Sequence, residues 1–145
     1  MKITLFTLFI AFMLGSCAEG AELERTKRLA NDGDETAQFN LGVMYANGRG
    51  VPKDYKEAEK WYIMSAKNGN SNALFNLGVM YNNEKAPKDN LYIAYAWLSA
   101  AKENGHEQAE KSLDILTAKM TKEQIAEAQS LSTEISNRIE ANKKD

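Results

Sequence analysis

Set against itself at an offset of 36 residues, the chain repeats: Ala37-Gln-Phe-Asn-Leu-Gly-Val-Met-Tyr45 lies over Ala73-Leu-Phe-Asn-Leu-Gly-Val-Met-Tyr81, with eight of nine positions identical. The same offset pairs Asn47 with Asn83, Ala58 with Ala94, Trp61 with Trp97 and Asn68-Gly69 with Asn104-Gly105. It reaches back to Gly33 and forward to Ala109 and Leu113. A period of roughly 20–50 residues marks a solenoid, because each unit carries an apolar face that only its neighbours can cover.

Each repeat reads as two helices, which makes the chain all-α. Ala37, Leu41, Met44 and Tyr45 fall at helical spacing on one side of the first helix, and Phe39 and Val43 on another. A helix apolar on two sides is sandwiched, so the first helix is expected to be the inner one. Gly42 and Gly78 stand in its middle, where Gly costs about 1 kcal/mol relative to Ala; that cost in both copies predicts the close approach of another helix backbone. The second helix is expected to start at Asp54, with Glu57 three residues on completing a capping pattern and Asn90 in the same place in the second copy. Tyr55, Ala58, Trp61, Tyr62 and Ser65 share one face, and Lys56, Lys60, Lys67 and Glu57 the other. Gly69 and Gly105 end it, supplying the left-handed residue that stops a helix. Between the two helices the first copy has Gly48-Arg49-Gly50-Val51-Pro52-Lys53, whereas the second has Glu84-Lys85-Ala86-Pro87-Lys88, a turn of different chemistry.

The units therefore divide as a partial one over 22–33, full repeats over 37–69 and 73–105, and a degenerate cap over 107–142. In the first, Glu22 to Asn31 is a lone second helix. In the last, Glu107 to Lys119 reads as a first helix with Asp114 in place of the mid-helix Gly and Thr117 in place of the Tyr. Thr121-Lys122-Glu123-Gln124 then forms a capping box opening a longer, more polar helix towards Asn142. Polar, degenerate end units suit a solenoid, whose terminal faces would otherwise leave apolar surface in water.

Residues 1–16 stand outside the repeats: Met1-Lys2, an uncharged run from Ile3 to Leu14, then small residues, the order of a secretory signal. The run is shorter than the roughly 20 apolar residues a membrane-spanning helix needs. The chain's single cysteine follows in Leu14-Gly15-Ser16-Cys17, which is similar to the lipobox of bacterial lipoproteins, where cleavage precedes an acylated Cys. Cys17 is thus a candidate lipid-attachment site. Ala18 at the next position, rather than Asp, implies by that resemblance an outer membrane destination facing the periplasm. The alternative is ordinary cleavage near Ala18, which would release a soluble periplasmic or secreted protein.

The residues Ala37, Leu41, Gly42, Tyr45, Gly48, Gly50, Val51, Asp54, Ala58, Trp61, Tyr62 and Gly69 together resemble the Sel-1-like repeat (SLR) family, and Met120 to Ala128 is similar to a C-terminal cap of bacterial members. The resemblance extends from about Glu22 to Ser136, with Leu98 standing where Tyr is usual. It implies a right-handed α–α superhelix, similar to tetratricopeptide proteins, whose concave face binds proteins or peptides, and an adaptor role in envelope assembly, signalling or host contact. Asn40 and Asn76, recurring between the apolar sides of the first helix, are candidates for bonding the backbone of a bound peptide, with Phe39, Phe75, Val43 and Val79 beside them. The alternative for the asparagines is a hydrogen bond between repeats.

Other chemistries have less support. With 18 Lys+Arg against 20 Asp+Glu and no basic cluster, the chain offers no phosphate-binding surface for nucleic acid. One His and one Cys cannot supply a structural zinc site or an intramolecular disulfide, and no cofactor or metal is expected. Ser99-Ala-Ala-Lys102 matches the S-x-x-K pattern of penicillin-binding enzymes, but the accompanying S-D-N and K-T-G elements are absent from the sequence. A hydrolase acting on β-lactams or peptidoglycan is therefore the rival to a non-enzymatic adaptor. His106, after Gly105, reads as an exposed turn residue, and the two tryptophans as core.

Overall fold

The computed structural model describes residues 20–83 and 90–143. Helix α1 (20–31) precedes α2 (Glu35–Asn47) and α3 (Tyr55–Ala66), α4 (Ser71–Tyr81) and α5 (Asn90–Glu103), then α6 (Ala109–Thr117) and α7 (Lys122–Asn142). Among the described residues there is no strand. Helices α2 and α3 pack together, as do α4 and α5; α3 joins the two hairpins, and α5 meets both α6 and α7. The fold is an all-α solenoid of helix pairs. Cys17, residues 1–16 and the loop over 84–88 lie outside the described residues.

Local chemistry starts and stops the helices at the repeat period. The side chains of Asp34 and Asn70, one period apart, each accept from the backbone N–H three residues on, Ala37 at 2.6 Å and Ala73 at 3.0 Å. Gly33, Gly69 and Gly105 take φ of 94°, 82° and 83°, the left-handed conformation that ends each preceding helix. Asp54 caps α3 by accepting from Lys56 and Glu57 N–H. The reciprocal arm expected of Glu57 is not formed; its carboxylate faces Lys60 at 3.7 Å instead. Asn90 is already the first residue of α5 rather than the cap before it. At Thr121 both arms of the box exist, Gln124 N–H donating to the Thr hydroxyl and Thr121 N–H to the Gln124 side chain.

The third unit departs from the expected boundaries. The position one period after Asp34 and Asn70 is His106, whose ring cannot reach the third N–H of a helix as a short carboxylate or amide does. Its Nδ1 accepts from Gln108 N–H at 3.3 Å, residues 107–108 form a turn, and α6 starts only at Ala109. His106 is not the exposed turn residue expected, since it is half-buried with its ring stacked on Phe75, centroids 4.0 Å apart.

The interior is aliphatic and rich in alanine. Leu41, Leu74, Leu77, Leu98 and Leu116 are fully buried, each worth about 1.5–3 kcal/mol over an exposed position. Around them Ala58, Ala66, Ala94, Ala100 and Ala101 are almost completely covered, so the helices lie close. Leu23 and Ala30 of α1 join Leu41, Met44 and Trp61 in one cluster, which covers the first face of the solenoid. Tyr55, expected on the buried face of α3, is 56% exposed, with Lys53 Nζ 4.8 Å above its ring. It lies in the first turn, ahead of the point where α3 meets its neighbours.

The mid-helix glycines admit a side chain in both repeats, and at Gly78 the backbone of the facing helix as well. A Cβ on Gly42 would stand 2.6 Å from two ring carbons of Tyr62, and one on Gly78 would stand 2.6 Å from Leu98 Cγ and 3.2 Å from Leu98 N. Tyr62 and Leu98 are themselves one period apart, so each helix pair is keyed at the same point. Tyr62 is only 3% exposed and its ring has nowhere to retreat. Gly42→Ala should therefore destabilise the protein by about 1–2 kcal/mol, the cost of overpacking exceeding the roughly 1 kcal/mol gained in helix propensity. Urea unfolding measures it, and a variant more stable than the parent would refute the keying.

Candidate functional site

The six residues expected to face a partner do not act as one surface. Asn40 is exposed, and Val79 is 49% exposed. Phe39 and Val43 pack against the central cluster, Phe39 with its ring tilted against Tyr62 at 5.9 Å. Phe75 is stacked with His106. The side chain of Asn76 hydrogen-bonds the Tyr62 hydroxyl, whose pKa burial pushes up and this bond partly restores. That bond ties the second helix of one repeat to the first helix of the next. One period before Tyr62 stands Thr26, so Asn40 has no equivalent phenol to meet. The repeated asparagine thus has two fates, structural at Asn76 and open to solvent at Asn40.

A different concavity lies among the second helices. A trough of about 390 Å³ runs between α3 and α7, with α5 as its floor. Ile93 and Trp97 of α5, four residues apart, form the floor; Ile63 and Ala66 of α3 form one wall, and Leu131, Ile135 and Ile139 of α7 the other. Trp97 is half-buried there, whereas Trp61, at the same register of the first repeat, is 9% exposed among residues of α1 and α2. The sequence expectation of two core tryptophans holds for Trp61 only.

The position of α7 makes the trough. Asn142 Nδ2 donates to the Lys67 carbonyl at 3.1 Å, and Lys143 Nζ reaches Asn104 Oδ1 at 3.0 Å. Ser136 donates to Glu103, and Ile139 is buried in the core. The far end of α7 is thus fastened across the ends of both α3 and α5. The stripe Leu131, Ile135, Ile139 at a spacing of four was readable in the sequence. A helix classed as polar from its overall composition hides such a stripe.

The charge of the trough is one-sided. Lys67 and Arg138 line it and no carboxylate does, in a chain with more acidic than basic residues. Arg138 pairs with Glu134 at 2.6 Å, and among the described residues Lys67 has no ion pair. At the α4 side Tyr81 donates to the Glu59 carboxylate. Burial, the hydrogen bond and the negative charge of Glu59 together push the Tyr81 hydroxyl up to about 12.

The alternative chemistry finds little geometry. Lys102, the basic member of the S-x-x-K match, has its Nζ on Glu110 Oε1 at 2.9 Å, which raises the pKa of its ammonium and keeps it charged, the wrong state for a general base. Burial lowers the His106 pKa, but its ring is occupied by Phe75 and Gln108 N–H. Among the described residues no group of three or more His, Cys, Asp or Glu could hold a metal ion, and no helix is long and apolar enough to cross a membrane.

Helix pairs repeating every 36 residues, keyed through glycine and stopped by left-handed glycines, define a Sel1-type repeat. The chain carries two Sel1 repeats: residues 36–70 and 71–106 each match the Sel1 repeat. Its fold is similar to that of c5321, a protective antigen present in uropathogenic Escherichia coli strains and displaying an SLR fold, with a TM-score of 0.76 and 28% identity. That likeness covers 83% of this chain and 26% of the antigen, so the chain spans about a quarter of its neighbour's length. No curated protein sequence matches the chain. Class and fold together describe a helical repeat scaffold of the kind that mediates protein–protein interaction.

The Tyr81–Glu59 pair gives a test of the site's geometry. A tyrosine with a raised folded-state pKa contributes stability that is complete below the unfolded value near 10 and is lost as pH rises towards about 12. Tyr62 acts in the same direction. Melting temperatures measured from pH 9 to 12 should fall less steeply for Tyr81→Phe than for the parent. Equal slopes would mean that Tyr81 is not held as described.

Proposed function

We propose that this chain is a non-enzymatic interaction module of the bacterial cell envelope, exported by its N-terminal segment and held at the outer membrane by lipid on Cys17, facing the periplasm. One observation carries the reading: polar side chains between the helices are committed to caps and ties, and what remains for other molecules is helix surface. Asn76, Asn104 and Asn142 each close a contact within the solenoid, and Lys102 is paired with Glu110. A protein or peptide partner is the ligand class such surface serves, and the resemblance to Sel1 repeats supports the same class. Acyl chains on Cys17 would give stable attachment, because each buried CH₂ contributes about 0.8 kcal/mol and two or more chains exceed the marginal binding of one.

Two measurements test it. Intact-mass analysis of the mature protein should find a chain that begins at Cys17 and carries acyl mass; an unlipidated chain beginning at Glu19 would remove the anchor and make the protein soluble or secreted. Nitrocefin should be left intact by the purified protein. Turnover that disappears in Ser99→Ala would move the protein to the hydrolases.

A further inference from the structure

We infer that the trough between α3, α5 and α7 is the docking site for one helix of a partner protein, a helix whose apolar stripe is flanked by Asp or Glu. The inference rests on the reading of the chain as an interaction module and names the surface and the occupant.

Size sets the first constraint. A ten-residue helix is roughly 15 Å long and 10 Å across, on the order of 1,200 Å³. The trough holds about 390 Å³, so a helix cannot sink into it; a few side chains from one face can. The surroundings set the second. The floor residues Ile93 and Trp97 and the wall residues Leu131, Ile135 and Ile139 are all spaced by four, the ridges that a crossing helix fits between its own side chains. Among the described residues there is no strand edge to recruit an extended peptide. A helix laid in a helical groove by i, i+4 anchors is the mode that matches.

Charge sets the third. The trough presents Lys67 and Arg138 at its mouth and no carboxylate. The surface continues along α3 into a shallower depression that shares Ile63 and Lys67 and adds Lys56, Lys60 and Glu59. Glu59 there accepts from Tyr81, and Glu57, outside the depression, faces Lys60. Lys56 and Lys67 therefore remain for an acidic partner, whose carboxylates would share the exposed guanidinium of Arg138 with Glu134. An apolar stripe flanked by Lys or Arg would meet repulsion from Lys56 and Lys67. A membrane surface is the less favoured occupant, because the apolar side chains are recessed between helices rather than raised to enter a bilayer.

The test uses a display library of random 16-residue peptides selected on the purified protein. Selected sequences should place apolar residues four apart with Asp or Glu beside them. By calorimetry their binding should weaken at least tenfold in Lys67→Glu combined with Arg138→Gln, and weaken further at higher salt, with the melting temperature held. Lys111→Glu combined with Lys119→Gln, an equal charge change on exposed residues of α6 and the turn after it, should leave binding as it was. Leu131→Asp should abolish binding, read beside its circular dichroism, and the charge variants stand if that substitution unfolds the chain. Selected peptides that are basic, or whose binding survives the charge variants, overturn the inference. Binding lost only in Asn40→Arg or Val79→Asp overturns the trough but keeps the interaction module. No peptide above background overturns both. Phosphatidylglycerol vesicles that bind through the trough and displace the peptides would replace the helix with a lipid surface.

Discussion

The approach of α3 to α2 at Gly42, repeated by α5 to α4 at Gly78, fixes the spacing on which the other contacts depend. With no Cβ on the first helix, the ring of Tyr62 or the side chain of Leu98 lies directly on its backbone. Helices brought this near leave room between them for methyl groups, which is why buried alanines outnumber any larger residue in the interior. A core of alanines contributes little area per residue, so stability here comes from many short contacts at native packing density rather than from a few large side chains. The same key also decides how repeats are joined. Tyr62 carries a hydroxyl that reaches Asn76 in the next repeat, whereas Leu98 has none, so the second junction lacks that bond and adds only the exposed Lys102–Glu110 pair to its apolar contacts.

Much of this was legible because repetition is a strong constraint. Residues that recur at one offset must do the same work in each copy, and Gly33, Gly69 and Gly105 do: all three are left-handed. Recurrence fails where one partner of a pair is missing. Asn40 and Asn76 are identical in the sequence, yet only Asn76 meets a tyrosine, because the unit before the first repeat carries Thr26 at that place. Similarly, the cap positions 34 and 70 forecast a third at 106, but histidine there lacks the reach of Asp or Asn and delays α6. Reading the glycines as a backbone contact holds at Gly78, where Leu98 N lies close, but at Gly42 the neighbour is the Tyr62 ring. Nothing in a period says which atoms fill the space that a glycine leaves.

The trough was the least legible part, for a different reason. It is made by α7, the helix of the most degenerate unit, for which the repeat offers no template. Its three apolar residues are visible at a spacing of four, but the direction in which they point depends on the angle of α7. That angle depends on bonds from Asn142 and Lys143 to groups far away in the chain. The first ends on a backbone carbonyl, a group present at every position, and the second joins two common polar side chains 39 residues apart. Composition therefore cannot single them out.

The bond from Asn142 to the Lys67 carbonyl spans 75 residues. In a solenoid each unit ordinarily touches only its neighbours, and unfolding can begin at either end and move inward one unit at a time. Here the third unit is tied to the first across the second. Fraying of α7 frees the ends of α3 and α5 together, and unravelling of the first repeat loosens α7. The tie makes a linear array behave more like a closed ring, with unfolding concentrated into one cooperative step instead of a graded series of partial openings.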